Sequence, residues 1–269
     1  MTTEAKKTEV YLFIDGPKTN DDAKTQELIK NHANSNKKYF AALNIHHHIK
    51  NIGLRKNITQ AIDYVFKKNE AVIVLEDDVV VSSSFLTFMN KALSTYSKNF
   101  KVWHINGFSN LENRKKLKEV YMTRFMNCWG WATWKNRWRY YERDINKLAT
   151  ELNFLDRAYL SLFGLSNHWR QIRDNKIGRI DTWAVFWHAA IARKKGMCVT
   201  PWFSYTKNIG LDGSGTNCPE ERDNKNNEMN NCDNPNLIFD KKESKSALIL
   251  LAIVFIGNIL KSIRRKIPI

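Results

Sequence analysis

The sequence predicts an α/β fold, a mixed but mainly parallel sheet flanked by helices. Short apolar runs alternate with stretches of helical periodicity between residues 10 and 108, the rhythm of strand, helix, strand. The apolar runs stop at turn signals or at acidic residues, as strands in such sheets do. At 269 residues and 43% hydrophobic content, the chain is also long enough to bury a sizeable core.

The elements follow in order. Residues 10–14 read as a strand closed by the turn Asp15-Gly16-Pro17. Residues 21–32 read as a polar helix and residues 39–45, "YFAALNI", as a second strand. Residues 58–68 place Ile58, Ala61, Ile62, Val65 and Phe66 at helical spacing and lead into a third strand at 71–75. Ser84 is placed to cap a helix with Phe85, Phe88 and Met89 on one face, and residues 101–108 give another strand. A further helix is expected near 182–194. In parallel sheets ligands bind beyond the carboxyl ends of the strands, and Asp15 and the run Glu76-Asp77-Asp78 both lie at such ends.

Composition changes near residue 120. The stretch "FMNCWGWATWKNRW" holds four tryptophans, and Trp131, Trp134 and Trp138 share one face if it is helical, which means core packing. Residues 219–246 are polar and Asn-rich, a linker or loosely ordered segment. The expected organisation is one domain over 1–218, divided at 119/120, then the linker at 219–246 and a C-terminal apolar and basic helix at 247–269.

The net charge of +16 favours anionic partners: nucleic acid, a nucleotide-linked substrate or an acidic membrane surface. Nucleic-acid binding would rest on charge alone, without a motif, and is set aside. Cys128, Cys198, Cys218 and Cys232 lie far apart with no CxxC pair, which argues against structural zinc. The amino terminus shows no apolar segment of a secretory signal, so a reducing cytosol is expected. His46, His47 and His48 would point to alternate faces of an extended chain, and a solvated loop explains them better than a metal site. His104 and His188 are expected to be structural. Arg55 and Lys56, near a helix start, fit either a phosphate contact or a solvated basic turn.

Three adjacent carboxylates repel one another, and a cation facing a cleft is what would offset that cost. Mn²⁺ and Mg²⁺ prefer hard oxygen ligands and bridge to substrate phosphates. The plainer alternative is an acidic turn neutralised by nearby Lys and Arg.

Four segments carry a resemblance: "VYLFIDGPK", "VIVLEDDVVVSSSFLTFMN", "YMTRFMNCWGWATWKNRW" and "IDTWAVFWHAAIARKKGMCVTPWFSYTKNIGLDGSG". Together, over roughly residues 9–218, they resemble bacterial glycosyltransferases related to the Golgi N-acetylglucosaminyltransferase that opens complex N-glycan branching. The resemblance implies a GT-A fold, with a nucleotide-sugar half over 1–119 and an acceptor half over 120–218. It also implies a UDP-sugar donor, a Mn²⁺ or Mg²⁺ cofactor and inverting transfer of a hexosyl or N-acetylhexosaminyl group to a glycan or lipid-linked acceptor. Asp78 then matches the metal ligand. Glu76 and Asp77 match groups that hold the ribose or donor sugar, Asp15 a nucleotide contact, and Asp181 the catalytic base. Asp181 reads equally well as a helix N-cap, and Asp212 is the next candidate for the base. Trp129, outside the tryptophan stripe, and Trp183 are expected to contact substrate.

Two departures accompany the match. Only ten residues precede Tyr11, where the family carries a further strand and helix, so a first strand is expected to be missing. Asn217 stands where relatives often carry His. The corresponding alternative is a non-catalytic remnant that binds sugar nucleotide or membrane.

The tail "ALILLAIVFIGNIL" (247–260) is shorter than the roughly 20 apolar residues that span a bilayer. Lys261, Arg264, Arg265 and Lys266 follow it. A helix lying on an anionic membrane surface fits this pattern, as does a terminal helix docked on the domain. The implied location is cytoplasmic, peripheral on the inner face of the cell membrane.

Overall fold

The computed structural model describes residues 4–111, 120–142, 144–210, 229–232 and 242–264. Asp212, Asn217, Cys218 and most of the expected linker lie outside them. The chain divides into two units: Met1–Val72 with Asp181–Trp183, and Ile73–Ile180 with Ala184–Ile269. The compositional change near residue 120 thus falls inside the second unit.

In the first unit, β1 (Glu9–Ile14) leads to α1 (Asn20–Asn36), β2 (Ala42–His47) and α2 (Leu54–Val65). The weakly apolar α1 starts where it does because Thr19 and Asp22 form a reciprocal capping box. Thr19 Oγ1 accepts from the Asp22 amide at 3.1 Å, and Asp22 accepts from the Thr19 and Lys18 amides at 2.9 Å. The second strand begins at Ala42 rather than Tyr39, because Tyr39 closes a 3-10 turn over Lys37–Tyr39. β1 and β2 pair in parallel, with Tyr11 beside Asn44 and Phe13 beside His46. His46 therefore belongs to a strand rather than a solvated loop. Its ring stacks on Phe13 at 4.7 Å and leans on Tyr64 of α2 at 4.5 Å.

Next comes β3 (Ala71–Val74), whose second half opens the second unit. Then follow β4 (Val79–Val81), α3 (Phe85–Tyr96), β5 (Val102–Asn106), β6 (Val120–Thr123), β7 (Trp131–Trp134) and α4 (Lys135–Trp138). The helices α5 (Ile145–Glu151), α6 (Phe154–Leu160), α7 (His168–Lys176) and α8 (Ala184–Arg193) lead to β8 (Met197–Pro201), β9 (Thr206–Asn208) and α9 (Lys245–Arg264). Phe85, Phe88 and Met89 are fully buried on α3, as their spacing predicts. Ser84 occupies the N-cap position but makes no side-chain cap bond; its carbonyl accepts from Phe88 N at 2.9 Å.

Among the described residues the strands form three sheets: β1-β2, β3-β7-β5-β8-β6, and β4-β9. Pairing is mixed rather than mainly parallel. β1/β2 and β5/β8 are parallel, whereas β5/β7, β6/β8 and β4/β9 are antiparallel. The fold is accordingly mixed α/β.

The tryptophan-rich segment corrects the helical reading. Trp131–Trp134 is a buried strand, and only Lys135–Trp138 is helical. The expected core role holds: Trp131, Trp134 and Trp138 are all buried. Trp131 stacks on His104 with centroids 5.1 Å apart. The His104 ring is neutral and fully partnered. Trp187 Nε1 donates to its Nδ1 at 3.1 Å, so its Nε2 carries the proton toward Asn106 Oδ1 and the Asn127 carbonyl. Burial holds its pKa down at about 4.

The tail helix α9 docks through Ala247 and Leu251 onto Leu111, Tyr121, Phe125, Leu162 and Trp202. Ser244 starts it, with its carbonyl accepting from Leu248 N at 3.1 Å and its hydroxyl from Ala247 N at 3.3 Å. Among the described residues no helix is long and apolar enough to cross a membrane.

Candidate functional site

In the first unit, Asp15 ends β1 and ties it to the segment after β2. Its Oδ1 accepts from the Gly16 and Ile52 amides at 2.7 and 2.9 Å. Its Oδ2 accepts from the Gly53 amide at 2.9 Å and from Asn51 Nδ2 at 3.1 Å. A carboxylate has about four lone-pair sites, and these four donors occupy them. Gly16 is required beside it, because any Cβ there would overlap the backbone of Lys50 and Asn51. The turn that ends the strand is therefore also the clamp that holds the next loop.

That loop delivers Gly53 (φ 84°) to the N-terminus of α2, and Asp181 comes to the same place. The nearest group to a Cβ built on Gly53 would be Asp181 Oδ2, at 4.0 Å. Asp181 pairs with the Arg55 guanidinium and stays 55% exposed. A carboxylate beside a helix N-terminus and a guanidinium is electrostatically favoured. Arg55 thus meets a carboxylate of its own chain, where the sequence left phosphate or solvent open. Since α8 begins only at Ala184, Asp181 is not its N-cap. Trp183 is 2% exposed and offers almost no ring surface to a substrate as the chain stands.

In the second unit, Glu76, Asp77 and Asp78 form the tight turn between β3 and β4, closed by Val79 N donating to the Glu76 carbonyl at 3.2 Å. Asp77 is exposed, Glu76 and Asp78 half-buried. The end of β9 holds this turn. Asn208 Nδ2 donates to Asp78 Oδ2 at 2.9 Å, and Ile209 N donates to the Asp78 carbonyl at 2.8 Å. Gly210 follows, turned by its own amide onto Asn208 Oδ1 at 2.8 Å. A Cβ on Gly210 would come within 2.9 Å of Asp78 Cβ and Oδ2, so only glycine leaves the Asp78 side chain in place. Asn208 and Gly210 escaped the sequence reading, which quoted "NIG" without assigning either residue.

Trp129 is tied to the same strand. Thr206 Oγ1 of β9 donates to its carbonyl at 2.7 Å, and Gly107 N donates to the Gly130 carbonyl at 2.7 Å. Gly130 lies against Thr206 Cγ2 and Leu75 Cδ2, where a Cβ would stand at 2.7 and 3.2 Å, and its φ of 71° also favours glycine. The half-buried Trp129 ring meets Phe108 edge-on, with centroids 4.5 Å apart. Trp129 also lines a cavity of about 560 Å³ together with Asn127, Asn167, His168, Gln171 and His188. Aromatic faces and side-chain amides are the groups that sugars meet in binding sites.

The expected site residues thus fall in two groups: Asp15, Asp181 and Trp183 in the first unit, and Glu76, Asp77, Asp78 and Trp129 in the second. Among the described residues no cluster of three His, Cys, Asp or Glu side chains is placed to hold a metal ion. The donor set at the turn fits a hard cation of the other kind, held by one or two carboxylates and completed by substrate phosphates and water. His104 and His188 are both buried, and the Arg124 carbonyl lies 3.1 Å from His188 Nε2. No protein-family model matches the chain, and no curated protein matches it.

Proposed function

We propose that the chain is a metal-dependent, inverting glycosyltransferase of GT-A fold, related to the N-acetylglucosaminyltransferases named above. In this reading it transfers a hexosyl or N-acetylhexosaminyl group from a UDP-sugar to a glycan or lipid-linked acceptor in bacterial surface-polysaccharide synthesis. The observation that carries the reading is the anchoring of Asp78. An acidic turn that served only as a solvated surface would have no use for an Asn amide and a glycine fixing its last carboxylate. Asp78 would hold Mn²⁺ or Mg²⁺, with Glu76 and Asp77 accepting from ribose or sugar hydroxyls. When bound, the cation supplies Lewis-acid stabilisation of the diphosphate. Trp129 covers an apolar sugar face beside the cavity it lines, and Asp181 takes the proton of the acceptor hydroxyl. Asp15 shapes the loop that carries Gly53, and reaches a nucleotide only by giving up one of its four donors.

A second reading, a sugar-nucleotide-binding protein without catalysis, is favoured by one observation. Asp181 is engaged by Arg55, and that pair must open before the carboxylate can meet an acceptor hydroxyl.

The test is a panel of UDP-sugars with Mn²⁺, followed by UDP release and by mass spectrometry of products. Metal-dependent UDP release with one donor, lost in Asp78→Ala, is the expected result. Metal-dependent UDP binding with no turnover on any donor would favour the second reading, and no UDP binding at all would end both.

A further inference from the structure

The tail helix α9 has two apolar faces, and the fold uses only one. Ala247 and Leu251 are buried against the second unit, with Leu248, Val254 and Phe255 packed partly beside them. On the opposite face, Ile249, Ile253, Ile256 and Leu260 are 62, 58, 44 and 54% exposed. Their spacing of four, three and four residues aligns them in one stripe along the helix. At 1.5 Å per residue, a helix of 20 residues is about 30 Å long, and the stripe from Ile249 to Leu260 runs along about half of it.

Beside α9, two successive non-glycine residues sit in the left-handed region, Leu162 at φ 45° and Phe163 at φ 55°. Leu162 turns inward into the cluster that holds α9, while Phe163 stands 62% exposed. Bulky residues rarely adopt this conformation. Here it directs one apolar side chain into the docking core and leaves the next in solvent.

We propose that this face of α9 seats the protein on an anionic lipid surface, lying in the plane of the headgroups. Charge selects the occupant. Lys245 starts the helix and Lys261 lies near its end, both exposed, and the sequence continues through Arg264, Arg265 and Lys266. A second copy packing α9 on α9 would face cation with cation in either direction, Lys245 on Lys245 when parallel and Lys245 on Lys261 when antiparallel. A net charge of +16 opposes that association further. An anionic bilayer accepts the apolar stripe and the cations at once. The assignment is independent of sugar transfer and stands or falls by lipid binding alone.

The experiment is flotation of the full chain with vesicles of phosphatidylglycerol and phosphatidylcholine, or of phosphatidylcholine alone, at low and high salt. The full chain should float with the anionic vesicles at least about ten-fold more than with the neutral ones, and salt should weaken binding. The triple variant Ile249→Ser, Ile253→Ser, Ile256→Ser leaves Ala247, Leu251 and Phe255 in place. It should keep the circular dichroism and melting temperature of the parent and lose at least about ten-fold of the anionic binding. A parent that stays unbound, or a folded triple variant that floats as the parent does, overturns the proposal. A parent that is dimeric in sedimentation and becomes monomeric in the triple variant, without vesicle binding, would make this a self-association face instead.

Discussion

The side-chain amide of Asn208 donates to the carboxylate of Asp78 at 2.9 Å, joining the end of β9 to the acidic turn before β4. The bond fixes the orientation of the Asp78 carboxylate, a hard oxygen ligand of the kind a divalent cation takes. Asp78→Ala should abolish Mn²⁺-dependent UDP binding in calorimetry while the circular dichroism spectrum stays unchanged. Asn208→Ala keeps the carboxylate but frees its orientation, so UDP affinity should fall by roughly ten-fold, about the value of one hydrogen bond to a charged group. Chelation with EDTA should bring the parent down to the level of Asp78→Ala. If EDTA leaves UDP affinity unchanged, Asp78 holds no metal.

The pair Arg55–Asp181 decides between the two functional readings. Asp181→Asn removes basicity and preserves size, and should lower turnover by about 10² or more with donor binding little changed. Arg55→Gln frees the carboxylate from its guanidinium partner and should leave turnover at or above the parent's. Near-normal turnover in Asp181→Asn would move the base elsewhere, and Asp212 is then the residue to replace.

Local signals exposed much of this architecture. Polar composition, helical spacing and the turn Asp15-Gly16-Pro17 announced β1, α1, α2 and α3 because each depends on neighbours in sequence, although Ser84, read as the cap of α3, makes no side-chain cap bond. The tryptophan segment misled because residues 131, 134 and 138 satisfy a helical stripe, whereas Trp131–Trp134 forms a strand. Ile105 of β5 lies beside Ala132 and fixes that choice from a distance. The acidic turn was legible for the same reason as β1. Its anchor was not, since Asn208 follows Asp78 by 130 residues. Arg55 and Asp181 were both singled out in the sequence, but only the folded first unit joins them.

Replacing Gly16 should cost the first unit more than replacing the aspartate before it. A Cβ at residue 16 collides with backbone that no rotamer change can move, so Gly16→Ala should destabilise by about 3 kcal/mol, the upper end for overpacking. Asp15→Ala strands the amides of Ile52 and Gly53 at a half-exposed site where water can partly replace the carboxylate. Its cost should be nearer 1 kcal/mol, the low end for an orphaned donor. Hydrogen exchange read by mass spectrometry should show faster exchange in β1 and β2 peptides of both variants, more so for Gly16→Ala. The reverse order would mean that the carboxylate, and not the close backbone approach, holds the turn.

Two buried histidines, His104 and His188, and the half-buried His168 make the second unit sensitive to mild acid. Burial holds His104 and His168 at about 4 and His188 well below its ordinary value. Their rings are hydrogen-bonded in the core or packed on one another, with His168 and His188 centroids 4.8 Å apart. An unfolded histidine titrates near 6.5. The folded pKa is depressed, so the stabilising contribution is fully present above pH 6.5 and is lost as pH falls toward 4. Over that window the unfolded state binds protons that the native state refuses, and unfolding becomes easier with each step downward. At pH 5, His104 and His168 should each cost about 2 kcal/mol relative to pH 8. The melting temperature should therefore drop steadily from pH 7 to pH 5, before most carboxylates titrate. In His168→Gln, which keeps an amide near Ser166 and Leu160, that drop should be visibly shallower. A parent whose melting temperature is flat over this range would mean that the imidazoles take up protons without leaving the core.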